Sequence, residues 1–137
     1  MLFRRAQLPG LDICIQETRP FWQGDGFTSR TIRPDIVVRQ RDTSKAVAIV
    51  DTKWKTPQDD APSVGDLRQM FVYNELFNAP TSLLVYPSVR GDRAGLQGRF
   101  ADWRHRCRTV RLGLFGEGGL KTADMLGQIR EILLELE

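Results

Sequence analysis

Histidine appears once and cysteine twice in these 137 residues. Cys14 and Cys107 are too few and too far apart to build a four-cysteine zinc or iron–sulfur site. Free thiols are the ordinary state in a reducing compartment, so a cytoplasmic location is expected. No apolar run approaches the ~20 residues of a membrane helix, and MLFRRAQLPG at the N-terminus lacks the apolar core of a secretory signal. No membrane partner is therefore expected. The GxxxxGK[ST] loop of nucleotide-driven motors is missing as well. Repeats, low-complexity tracts and internal domain boundaries are also lacking, which makes residues 1–137 a single domain large enough for a core.

What is present is ordinary in amount and uneven in placement. Apolar residues make up 41% and charged residues 27%, as in soluble globular proteins. A net charge of +3 with a pI near 9.2 favours a polyanionic partner. Lysine is missing from Arg90 to Arg111, where arginines 90, 93, 99, 104, 106, 108 and 111 stand against only Asp92 and Asp102. Forked, permanently charged guanidinium groups suit phosphate oxygens. A solvated loop and helix face explains the same run without a ligand.

Alternation in ICIQET after the Pro9-Gly10 turn predicts a strand near Leu11–Thr18. A turn follows at Gln23–Gly26, then strands over Thr31–Arg39 and Lys45–Thr52 joined by an Asp42–Ser44 loop. Both of these strands are apolar on both faces, which places them inside a covered sheet. Ser63 is a candidate N-cap with Asp66 three residues on, opening a helix over Val64–Phe77 with Leu67, Met70, Phe71 and Leu76 at helical spacing. Asn78 and Pro80 end it. TSLLVY (Thr81–Tyr86) is a strand stopped by Pro87, completing a crossover unit. Ser88–Gly98 reads as a mobile loop, Thr109–Leu114 as an edge strand and Ala123–Leu136 as a last amphipathic helix. The fold class is α/β, with a mixed central sheet of about five strands flanked by helices.

The acids in the apolar hairpin ask for a chemical reason, because ionised groups beside buried strands are costly unless paired or bound to a metal. Asp35 precedes IVV, Asp51 closes AVAIV, and Lys53 shares a strand face with Asp51. With a three-residue loop, Arg41 faces Lys45 and Asp35 falls opposite Asp51. A register shifted by two sets Asp35 opposite Lys53, and an odd shift scatters the group. Two facing carboxylates repel unless a divalent cation takes up their charge, and hard oxygen ligands suit Mg²⁺ or Mn²⁺. A surface Asp–Lys pair with Asp35 as a turn residue is the plainer reading. Gln69 and Tyr73, one helical turn apart, can be laid by the crossover against the open end of the sheet.

Pro34-Asp35 followed sixteen residues later by Asp51-Thr52-Lys53 resembles the PD-(D/E)xK nuclease motif, and Gln69 to Tyr73 matches the QxxxY extension of its RecB-like branch. RPDIVV, the strand ending in DTKWK, the DLRQMFVY helix and LLVYP, in this order, resemble more narrowly the McrC family of nuclease domains. Those domains cleave DNA in the McrBC systems that restrict methylcytosine-containing DNA. The resemblance implies a restriction-endonuclease-like core and magnesium-dependent hydrolysis of DNA phosphodiesters. It implies Asp35 and Asp51 as metal ligands with the Thr52 carbonyl as an additional one, Lys53 as the catalytic lysine, and Gln69 and Tyr73 as its supports. DNA recognition and GTP-driven translocation would reside in a McrB-like GTPase partner, and a homodimer is allowed. The family's helix before the first strand is expected to be held only in part, and its docking region for the GTPase not at all.

A RecB-like repair exonuclease or a stand-alone restriction enzyme fits the same motif. A non-catalytic DNA-binding or assembly module keeping the fold is a third reading, and intact Asp35, Asp51 and Lys53 argue against it. With a nuclease in view, Arg90, Arg93, Arg99, Arg104 and Arg106 become candidate contacts to the DNA backbone. Trp54 and Trp103 are expected to pack at the sheet margin, and His105 to be exposed and dispensable.

Overall fold

A computed structural model of the chain describes residues 2–4, 10–26, 28–53, 61–88, 95–113 and 131–132. Five strands form the left and centre of one sheet: β1 (Leu2–Arg4), β2 (Leu11–Ile15), β5 (Ile36–Gln40), β6 (Ala46–Thr52) and β7 (Thr81–Ser88). It is completed by β9 (Arg106–Gly113) and β8 (Gln97–Arg99), in the order β1-β2-β5-β6-β7-β9-β8. Pairing is antiparallel from β1 to β6, parallel across β6, β7 and β9, and antiparallel again at β8. The sheet is thus mixed, as expected, with seven strands among the described residues. A separate ribbon, β3 (Arg19–Trp22) with β4 (Arg30–Ile32), leaves and rejoins between β2 and β5.

Strand alternation sorts the core onto two faces. Ile13, Ile36, Val38, Ala48, Val50, Leu83, Val85 and Val110 fill one, where Ile132 also packs. Val37, Ile49, Leu84 and Tyr86 fill the other, beneath Met70, Tyr73 and Phe77 of helix α1 (Val64–Phe77). Burial on both faces is why IVV and AVAIV carry apolar residues at every position rather than at alternate ones. The ends of α1 lie where its caps put them. Ser63 Oγ accepts from Asp66 N at 3.0 Å, and Asn78 turns left-handed at φ 51°. Ala79 N then returns to Asn74 O at 2.9 Å. Of the expected apolar stripe, Met70 is buried, whereas Leu76 is exposed and Tyr73 and Phe77 carry the packing.

Several expected boundaries moved. The strand drawn through Thr31–Arg39 is two strands, because Pro34 interrupts it. The first strand stops at Ile15, where Gln16 takes a φ of 56°. Pro87 does not stop β7, which runs to Ser88. Lys53 N donates to Val85 O, so Val85 and Pro87 both face β6, whose described ladder ends at Thr52↔Val85. The missing proline N–H is therefore on the β6 side, and the pairing of β7 with β9 continues past it. β9 is longer than expected and interior, and the edge beside it is β8, which overlaps the end of the segment read as a loop. The expected last helix lies outside the described residues except for Glu131 and Ile132, which are helical. No described helix is long and apolar enough to cross a membrane.

Buried polar links join α1 to the strand after it, among them one from Asn74. Asn74, fully buried, donates to Ala79 O at 2.8 Å and accepts from Ser82 Oγ at 2.9 Å. Asn74→Ala removes both bonds and strands the Ala79 carbonyl. It is expected to cost about 2–3 kcal/mol, read as a lower urea midpoint at unchanged slope.

Candidate active site

The site grows from the register of the β5–β6 hairpin. Its turn is one residue longer than expected: Gln40, not Arg41, pairs with Lys45, with Ser44 at φ 59°. A bulge between Val38 and Arg39 then restores the alignment, giving Val38↔Ala48, Val37↔Ile49 and Ile36↔Val50. Continued by one residue, that register sets Asp35 against Asp51. The contact is made: Asp35 N donates to Asp51 Oδ1 at 3.3 Å.

Each acid is held differently. Asp35 Oδ2 accepts from Thr52 N at 2.8 Å and from Thr52 Oγ1 at 2.6 Å. Asp35 is thereby fixed from the neighbouring strand, with its Oδ1 outside these bonds. Asp51 is 5% exposed, and its Oδ2 lies 2.8 Å from Lys53 Nζ. The ammonium also donates to Gln69 Oε1, and Gln69 Nε2 donates to Tyr73 OH at 3.0 Å. A continuous chain therefore runs from the β5–β6 strand ends onto α1. Thr52 has the role that sequence reasoning missed, since its hydroxyl and amide orient Asp35. The signal available was a hydroxyl between the two motif residues.

Burial dominates the electrostatics. It pushes the Asp51 carboxyl above its ordinary range, and the Asp35 charge pushes the same way against the Lys53 ion pair. Burial raises the Tyr73 phenol to about 12, with the Asp51 charge adding to it. Tyr73 is thus a neutral hydrogen-bonding group at any physiological pH.

The arginines do not join this cluster. Arg106 pairs with Thr81 at the start of β7, whereas Asp51 pairs with Leu84, so Arg106 sits about 10 Å back along the strands. By alternation it also faces away from α1. Arg99 pairs with Arg106, and Arg104 binds Glu75 Oε1 at 2.8 Å. Arg111, in register with Tyr86, is at the site's end of the sheet and on the α1 face. Arg90, Arg93 and Trp54 lie outside the described residues. Trp103 does not pack at the margin; it is 74% exposed, with the Arg99 guanidinium 5.5 Å over its ring. Nor is His105 exposed. It is 6% exposed, with its ring 5.8 Å from that of Phe71 on α1.

Tyr73 and Tyr86 are the only tyrosines, and burial raises both phenols. Absorbance at the phenolate band is expected to stay flat through pH 10 in the folded chain and to rise near pH 10 in urea. Above pH 10 the unfolded chain has shed protons that the folded chain still holds. The Tyr73 contribution to stability is therefore complete below pH 10 and lost as pH rises towards 12. Asp51→Asn removes the neighbouring charge and should lower the Tyr73 transition.

Comparison with known proteins gives a family and a fold. A family model described as McrBC 5-methylcytosine restriction system component matches residues 2–87. Among curated proteins none matches. Among solved structures, the chain is similar to one from an assembly of Thermococcus gammatolerans McrB AAA+ hexamers with bound McrC. That match has a TM-score of 0.63 and 21% identity over 95% of this chain and 30% of the other. This chain thus spans about 30% of the length of that relative. The mixed α/β sheet with its crossover helix is the restriction-endonuclease-like core expected from the motif order. With the model spanning residues 2–87, the chain belongs to the family of McrBC 5-methylcytosine restriction system components.

Proposed function

We propose that this chain is a McrC-like cleavage module, a metal-dependent endodeoxyribonuclease that hydrolyses DNA phosphodiesters. The observation that carries the reading is the Asp35–Asp51 contact across one hairpin, with Lys53, just past the end of β6, bridging to Gln69. The donor set fits a hard divalent cation: two carboxylates at the strand ends, one of them buried and penalised by the other's charge. Asp35 and Asp51 would hold Mg²⁺ or Mn²⁺, with the Thr52 carbonyl as the further ligand. Such a cation neutralises charge growing on phosphate and makes water a better nucleophile at neutral pH.

The other steps belong to the side chains. Lys53 offers its charge and N–H donors to the attacking water and the phosphate oxygens, and so stabilises the crowded phosphorus of the transition state. Gln69 keeps the ammonium from collapsing wholly onto Asp51, and neutral Tyr73 fixes the amide. Thr52 holds Asp35 so that one oxygen is committed to the protein and the other is left for the metal. The relative's assembly contains McrB AAA+ hexamers, and we infer a comparable GTPase partner for this chain, which would select and deliver the DNA.

Supercoiled plasmid incubated with Mg²⁺, with and without a McrB-like partner and methylcytosine, tests the reading. Nicking is expected to vanish with EDTA. Asp35→Asn, Asp51→Asn and Lys53→Ala should each lower the rate on the order of 10²–10⁴-fold, and Gln69→Ala roughly 10-fold, as an outer support does. Equal rates in all variants would falsify the site. Cleavage of linear DNA alone would favour a repair exonuclease. In metal-free buffer, Asp51→Asn should melt no lower than the parent, because it removes a buried charge.

A further inference from the structure

A second constellation lies at the other end of α1. Glu75 in the helix's last turn meets Asp102 and His105 from the β8–β9 connection, and one ligand atom of each lies within 4.8 Å of the others. His105 Nε2 is 3.1 Å from Glu75 Oε1 and 3.9 Å from Asp102 Oδ2. His105 precedes β9 by one residue, whereas Asp51 aligns with Thr109, so the cluster stands about 13 Å along the strands from the proposed nuclease site. It shares no residue with that site.

The hydrogen bonding within the cluster is one-sided. Asp102 Oδ1 accepts from Arg104 N at 3.1 Å and from His105 N at 3.2 Å, which aims Oδ2 at the imidazole. That Oδ2 is buried and accepts no hydrogen bond from any described residue. A single Nε2–H can serve Glu75 or Asp102 but not both. His105 is more than nine-tenths buried and wedged by Phe71, so the ring cannot turn out to relieve this. Positive charge already collects here: Arg104 Nη2 is 2.8 Å from Glu75 Oε1 and Nε 3.7 Å from Asp102 Oδ2, on a side chain 68% exposed.

We propose that Glu75, Asp102 and His105 form a second metal site, for a divalent transition metal of the zinc class, from which Arg104 swings out when the ion binds. One imidazole and two carboxylates are borderline-to-hard ligands of a kind that zinc accepts with a further position left to water. Ligands at zinc's ~2.0–2.1 Å stand roughly 3.3 Å apart in a tetrahedron. The observed separations of 3.1 and 3.9 Å bracket that spacing. An ion there clasps the β8–β9 connection to the helix that carries Gln69 and Tyr73.

The test is calorimetric titration of Zn²⁺ into the full chain carrying Asp35→Asn and Asp51→Asn, so that only binding away from the nuclease site is read. One equivalent is expected. In that background, His105→Ala and Glu75→Gln should each weaken binding roughly 100-fold, at or beyond the limit of outer-sphere changes. Arg104→Ala should tighten it several-fold by removing the competing cation, which a merely structural ion-pair cluster would not do. Glu75 is on the surface, so Glu75→Gln remains informative if His105→Ala fails to fold. Lack of binding in the Asp35→Asn/Asp51→Asn chain overturns the proposal, as does binding untouched by Glu75→Gln. Either result leaves the nuclease reading to its own plasmid assay.

Discussion

The register between β5 and β6 is the constraint on which the rest depends. Side chains alternate along a strand, so a slip of one residue would send Asp35 to the opposite face from Asp51 and Lys53. Two local irregularities cooperate to prevent it: a turn that takes one more residue from β5, with Ser44 left-handed, and a bulge that puts one extra residue into β6. Val37, Ile49 and their neighbours then lock the alignment, because any slip would carry fully buried residues out of both core faces. Core packing and site geometry are therefore one constraint.

A buried carboxylate at the end of a central strand is costly, and the fold offsets that cost with groups from three elements. Lys53 comes from just past the end of the same strand and Gln69 with Tyr73 from α1, while the Asp35 amide comes from across the hairpin. The compensation is partial, since Asp51 still resists ionisation. A site poised in this way gains from a cation, which is why nuclease chemistry is the reading the geometry supports best.

The molecule is polarised along its strands. Carboxylates, lysine and the α1 amide gather at the C-terminal ends of β6 and β7, where Arg111 also points. Arg99, Arg104 and Arg106 occupy the far end, with Arg104 tied to Glu75. An arginine run that looks like one phosphate-binding tract in the sequence is thus divided by strand alternation and direction. DNA held at the carboxylates would meet few of these three arginines.

The hairpin register left the grouping of Asp35, Asp51 and Lys53 with Gln69 and Tyr73 open in the sequence, whereas residue pattern alone determined the α/β class, the two doubly buried strands and the helix with both its caps. These follow from periodicity, capping chemistry and spacing, which act over a few residues and are written locally. The ribbon at β3–β4, the continuation of β7 through Pro87 and the interior place of β9 depended on which strands became neighbours. So did the burial of His105 and the hold of Thr52 on Asp35. Only the tertiary structure decided them, because a strand's partner and a side chain's surroundings are set by residues distant in the chain.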